Sequence, residues 1–255
     1  MTTKYKRNFL SEVVARVDFA LPVGELTAQI PPDIFESARK FFPIIEPERE
    51  TIQEIQIDSK ADFVRKTSER IKWNFANNDR TKRLIITDRD LTISHLKHDS
   101  YDNLEKELTC VLPTVSAHFQ DNKFSRIGLR YVNSITVNHR PVLEWSELID
   151  SSLIVIPKIN YGKSVPMEEV LAMAFGVVEY NFGSYRLRFN YGIHNPDYPA
   201  KIKQRKFILD YDCFSEGAYL INEISTNLND YHAKINEFFE SSITQALRDE
   251  LNKHE

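Results

Sequence analysis

Hydrophobic residues recur along the chain with two periods, and the switches between them mark out the elements. In "VVARVDFAL", Val13, Ala15, Val17 and Phe19 alternate with Val14, Arg16 and Asp18, the pattern of a half-buried strand. "IPPDIFESARKFF" changes to helical spacing, with Pro32 and Asp33 at its start and Ile34, Phe35, Ala38, Phe41 and Phe42 on one stripe. "TIQEIQI" and "RIKWNFAN" return to strand, and "RLIITDRDLTISHL" predicts a hairpin with Asp88, Arg89 and Asp90 near its tip. "SYDNLEKELTCVLPTVSAHFQ" is helical again through Leu104, Leu108, Val111, Leu112, Val115 and Phe119. Pro113 has no N–H to give the ladder, so a kink or a division is expected there.

"FSRIGLRYVNSI" opens the second half as a strand, and the polar turn "TVNHRP" follows it. A short helix is expected in "VLEWSELIDSSLIVIP", and another in "SVPMEEVLAMAF", where Ser164 caps and Pro166 sits in the first turn. "VVEYNF", "SYRLRFNYGIH" and "KFILDYDCF" form a meander whose longer connection is "NPDYPAKIKQ". One closing helix is predicted from the stripe Leu228, Tyr231, Ile235, Phe238, Phe239, Ser242, Ile243 and Leu247. The expected fold is α+β: antiparallel sheets each covered by helices, as two related strand-then-helix halves, 1–140 and 141–255, in one compact unit. "LRYVN" (129–133) and "LRFNY" (187–191) echo each other across those halves.

The polar residues inside these strands are the candidate chemistry. Period two puts Arg126 and Arg130 on one face of the opening strand, while Asn133 falls among apolar residues and must be hydrogen-bonded inside, at a loop or a helix end. In the meander, a hairpin centred near Pro199 sets Arg188 opposite Asp210 and Arg186 opposite Asp212. Cross-strand pairs of opposite charge help fix register. Arg126, Arg130, Arg186 and Arg188, with His194, would instead make a strip for an acidic partner or a phosphate backbone if they lay together unpaired. Asp210 and Asp212, with Asp197 and Lys201 or Lys203, are the nearest approach to a Mg²⁺ site, but the acidic-x-Lys strand of a nuclease is missing. "HLKHD" holds His95 and His98, which on a strand point to opposite faces and are expected at the surface. His232 sits beside the stripe of the last helix, in a structural hydrogen bond.

Composition narrows the picture further. Of the 255 residues 42% are hydrophobic and 27% charged, with a net charge of −4, which gives no overall attraction to nucleic acid or an anionic membrane. Cys110 and Cys213 are too few and too isolated for a disulfide framework or a four-ligand zinc site and are expected to be reduced. No apolar run is long enough for a signal peptide or a membrane span, so a cytoplasmic location is expected. Nucleotide-binding and hydrolase signatures are absent, and no cofactor is expected.

"YKRNFLSEVVARVDF", "FSRIGLRYVNSI", "FILDYDCF" and "LNDYHAKINEFFESSITQALRDEL" resemble, in that order, a sporadically distributed bacterial and archaeal family of uncharacterised proteins of similar length. The R-I-G-L-R-Y-x-N core and the final "YHAKINEFFESSIT" are the most specific parts of the resemblance. It implies no activity and no catalytic residue, and its patchy occurrence is like that of accessory genes in mobile or defence loci. The leading expectation is a non-catalytic intracellular protein that binds another protein, in a defence or toxin-neutralising setting. Its rivals are a nucleic-acid-binding effector or metal-dependent nuclease, and a small-molecule receptor with its pocket between the sheet and the last helix.

Overall fold

Every second residue from Val13 to Phe19 is buried, as the alternation demands, and these residues form strand β1 (Leu10–Phe19). In the computed structural model, residues 5–57, 63–121, 123–137, 141–154, 156 and 170–252 are described. After β1 come α1 (Pro32–Ala38), β2 (Ile44–Ile57), β3 (Phe63–Ala76), β4 (Lys82–Ile86), β5 (Asp90–His95) and α2 (Tyr101–Ser116). The second half contains β6 (Phe124–Thr136), β7 (Ala174–Asn181), β8 (Arg186–Ile193), β9 (Lys206–Tyr219), α3 (Ile221–Ser242) and α4 (Gln245–Asn252). The nine strands make one antiparallel sheet in the order β2-β3-β4-β5-β1-β6-β9-β8-β7, where two sheets were expected. The chain divides into two compact units, neither continuous in sequence. One is Met1–Val13, Leu129–Ser215 and Asn229–Glu255; the other is Val14–Gly128 and Glu216–Leu228.

Apolar side chains place the core where the periodicities put it. Ile34, Ala38 and Phe42 of the first helical stripe are buried, as are Leu104, Leu108, Val111, Leu112 and Val115 of the second. In the other unit Leu187, Phe189, Tyr191, Leu209, Tyr211 and Cys213 bury the apolar face of β8 and β9, with Tyr231 and Ile235 of α3 also buried. Phe189 stacks on Tyr211 with ring centroids 4.5 Å apart, and Tyr231 donates to Ser215 at 2.6 Å.

Two expectations are corrected outright and two in part. Helix α2 runs through Pro113 without dividing; the carbonyl that loses its partner belongs to Thr109, an exposed position, so the group need not be satisfied within the protein. Residues 142–154 hold no α-helix, only turns and a short 3₁₀ segment at Ser151–Leu153. Trp145, Leu148 and Ile149 are buried with the spacing of a single turn, and Ile149 then bridges Ile243 as a strand residue does. That same segment splits the last helix in two. Asp150 N–H donates to the Ser242 carbonyl and Thr244 N–H to that of Leu148, both at 3.0 Å, so Ile243 and Thr244 leave the helical ladder. Finally, the helix expected at 164–175 falls mostly outside the described residues, and its last two residues, Ala174 and Phe175, begin β7.

Candidate functional site

Arg186 and Arg188 lie on β8, the middle strand of the meander, and the register decides what each one meets. Strands β8 and β9 pair with Arg188 opposite Asp212, Asn190 opposite Asp210 and Arg186 opposite Phe214, two residues away from the expected alignment. Strands β7 and β8 pair with Glu179 opposite Arg188. Arg188 therefore finds Glu179 on its other neighbour, at 2.9 Å, and Arg186 shares the same carboxylate at 3.4 Å. Arg186 also lies over the Phe214 ring, 4.5 Å from its centroid.

Arg130 on β6 grips Asp210 on β9 with both ends of its fork, Nε to Oδ1 at 2.7 Å and Nη2 to Oδ2 at 2.8 Å. Asn190 donates to the same carboxylate at 3.0 Å. Bidentate charge-assisted bonds of this kind are the strong class, and the bond to Asp210 pushes the Arg130 pKa up from its ordinary value. Asp210 is buried, so its charge depends on these donors. Arg126 belongs to the other compact unit, where its guanidinium lies over Gly128, 3.3 Å from where a Cβ would stand. His194 is half-buried; burial, and then Lys206, hold its pKa below the ordinary value, so it brings no charge at neutral pH. Asn133 is buried and donates to the Leu209 carbonyl on the adjacent strand, instead of anchoring a loop or a helix end. His232 accepts its expected role: its Nδ1 is 2.8 Å from the Tyr131 hydroxyl.

What the meander leaves open is its edge. β7 is the last strand of the sheet, and among the described residues nothing pairs along its outer side. Phe175 and Val177 on that strand are 41% and 63% exposed, and Met173 just before it is 61% exposed. At the far end of the strand, Tyr180 and Phe182 are also exposed, leaning on Phe238 of α3 with centroids 5.1 and 6.2 Å away. The approach to the strand is pinned, since Asn195 donates to the Ala172 carbonyl and Ile202 N–H to that of Leu171. The opposite edge of the sheet, β2, is built differently. It carries Pro47 with Glu46, Glu48 and Glu50, and Arg80, Asn74 and Arg70 bind those carboxylates. Proline and charge are the devices that keep an edge from pairing, and β7 has only Glu179, already held by two arginines. The sequence pattern gave β7 as a strand but not as an edge, because position in a sheet is set by pairings that no local period encodes.

A second polar constellation lies between β5 and α2, and here the sequence expectation fails. His95 is fully buried, not at the surface. Its Nε2 is 2.6 Å from Glu107 Oε2, and its Nδ1 is 3.3 Å from Nδ1 of His98. The strand ends at His95, so the bend that follows brings His98 back beside it. Lys82 donates to Glu107 at 2.9 Å and pairs with Asp99 at 3.1 Å. Burial pushes the Glu107 carboxyl up, but the bonds from His95 and Lys82 outweigh it and leave the pKa below the ordinary value. A polar cavity of about 400 Å³ adjoins the cluster, lined in part by Lys82, Lys97, Asp99 and Glu107.

Among the described residues no three His, Cys, Asp or Glu side chains converge as a metal site, and no helix is long and apolar enough to cross a membrane. Burial pushes the Cys213 thiol up to about 12, which makes it a poor nucleophile. No protein-family model matches the chain, and no curated protein matches it.

Proposed function

We propose that this chain is a non-catalytic binding protein that captures a partner protein by strand addition at β7. The observation that carries the reading is the contrast between the two ends of the sheet: β2 is guarded by proline and paired glutamates, while Phe175 and Val177 of β7, with Met173 just before it, are exposed along a backbone whose outer side pairs with nothing among the described residues. In strand addition the main-chain hydrogen bonds supply affinity and alternate side chains supply selectivity; exposed aromatics beside such an edge fit the anchors of protein interfaces. Charge supports the same choice over a nucleic-acid effector. Arg130, Arg186 and Arg188 each have a carboxylate, so a phosphate backbone would have to displace acids already bound.

The strand order also supports related halves. In each, a first strand (β1 or β6) lies beside the last strand of a returning meander (β5 or β9), and a helix follows. In that scheme β6 corresponds to β1, so the "LRYVN" and "LRFNY" echo, which joins β6 to β8, falls on positions that do not correspond. A cytoplasmic setting fits the two free thiols, Cys110 and Cys213.

The test is co-purification with the product of the neighbouring gene, in wild type and in Val177→Lys. Val177 is exposed, so the variant should melt as the wild type does, while a charge on the outer strand blocks pairing. Capture by the wild type and loss in the variant is the expected result. Equal capture by both, or no capture by the wild type, contradicts the proposal.

A further inference from the structure

We propose that Arg16, Arg70 and Arg89 bind the phosphate group of a small phosphate monoester, at a site independent of the β7 edge and within Val14–Gly128 of the other compact unit. All three line one cavity of about 360 Å³, an ordinary size for a small-molecule site. Unequal strand lengths place them there. β4 and β5 have 5 and 6 residues, whereas β3 has 14. The β3–β4 pairing stops at Trp73 opposite Ile86, so Arg70 lies on the part of β3 beyond it. The β4–β5 turn carries Arg89 and is docked on the end of β1 and the chain that follows. Phe19 N–H donates to the Arg89 carbonyl at 2.7 Å and Val23 N–H to that of Asp88 at 2.8 Å. Arg16 shares the polar face of β1 with Asp18, alternating with buried Ala15 and Val17. Three guanidinium groups thus reach the cavity from two strands and a turn.

Their donors are only partly used. Arg89 is the anchor: its ion pair among the described residues is to Asp88 at 3.8 Å, too long for a hydrogen bond. A phosphate oxygen at Arg89 therefore displaces no hydrogen bond. Arg16 gives Nε to Asp18 at 2.6 Å and Nη2 to Asp90 at 3.2 Å. Arg70 turns Nε and Nη2 to one oxygen of Glu50, at 2.9 and 2.8 Å. A guanidinium has five N–H groups, so both arginines keep donors while their acids hold them in place. The turn that presents Arg89 is also fixed, since the Thr87 hydroxyl accepts from the Arg89 and Asp90 N–H groups at 3.1 Å each. Groups ordered before a ligand arrives lose less freedom on binding it.

Charge and direction select the ligand. On the cavity wall three arginines stand against two acids, Asp18 and Asp90, a net charge of plus one. Behind the wall, Glu50 is shared with Lys72, and Asp88 sits beside Arg89, so the wider cluster is neutral. An anion is therefore held by directed N–H bonds more than by net attraction. A carboxylate is matched by one guanidinium fork, whereas a tetrahedral phosphate group takes donors from several sides, the recognition to which arginine is suited. Ala20 and Pro22 on the same wall give the organic part of the ester an apolar surface.

Calorimetric titration of the full-length protein with phenyl phosphate, and with benzoate as the carboxylate of similar shape, tests this directly. One equivalent of phenyl phosphate should bind, and benzoate should bind more weakly. Arg89→Gln should weaken phenyl phosphate binding by at least about tenfold, the loss expected for a hydrogen bond to a charged group. Arg89 is exposed, so this variant should melt as the wild type does. Lys40→Gln, which alters the separate cavity beside Lys82, should leave binding unchanged. Absence of one-site binding, equal affinity for benzoate, undiminished binding by Arg89→Gln, or an equal loss in Lys40→Gln would each overturn the site.

Discussion

Asp210 bears on two readings of the protein's charged residues at once. It is buried beneath the half-exposed Arg130 and takes three hydrogen bonds, two from that arginine and one from Asn190. Mg²⁺ at Asp210, or a phosphate at Arg130, would first have to displace these bonds. The pair lies between the surface limit, where ion pairs are nearly worthless, and the buried limit, where breaking one is severe. A double-mutant cycle of Arg130→Ala and Asp210→Ala, read by urea denaturation, should give a coupling of about 1–2 kcal/mol; a coupling near zero would show that the two charges do not depend on each other. The sequence revealed that Arg186, Arg188, Asp210 and Asp212 share a polar face, because side-chain direction in a strand survives any even slip in register. It did not reveal the partners. The connection between β8 and β9 spans 194–205, and a one-residue error in locating its centre moves every pair by two, which is how Arg188 comes to face Asp212. His95 was misread for a related reason: a strand period separates it from His98, but the strand stops between them.

At the level of elements, β7 depends on the close approach of its neighbour. Gly192 on β8 has φ +147°, and a Cβ there would stand 2.2 Å from the Ala174 carbonyl oxygen. Only glycine suits that backbone. Gly192→Ala should therefore destabilise the protein by about 2 kcal/mol, and its first sign should be faster amide exchange along 174–181. Unchanged exchange there would mean that β7 is held by something other than this pairing. Elements with a clear period were legible: β1, the β4–β5 hairpin, α2 and the three-strand meander all form where the pattern put them. The failures are places where a tertiary contact overrides a local preference. Residues 145–150 carry one helical turn's worth of apolar spacing, yet they dock at Ser242–Thr244 and interrupt the last helix.

On the scale of the molecule, a net charge of −4 and the ion pairs of Arg130, Arg186 and Arg188 leave the apolar surface of β7, whose outer side pairs with nothing among the described residues, as the feature most in need of a partner. An edge this bare invites unwanted pairing, so a protein that keeps it exposed has a use for it or aggregates through it. Val177→Lys tests the side chains, whereas the main-chain bonds that define strand addition are read by hydrogen exchange. The most direct measurement is amide exchange across β7, with and without the partner. Protection of the outward-facing amides of 174–181 in the complex, with the arginine-bearing β6 unchanged, is the predicted result; protection centred on β6 and β8 with β7 still exchanging freely would contradict it.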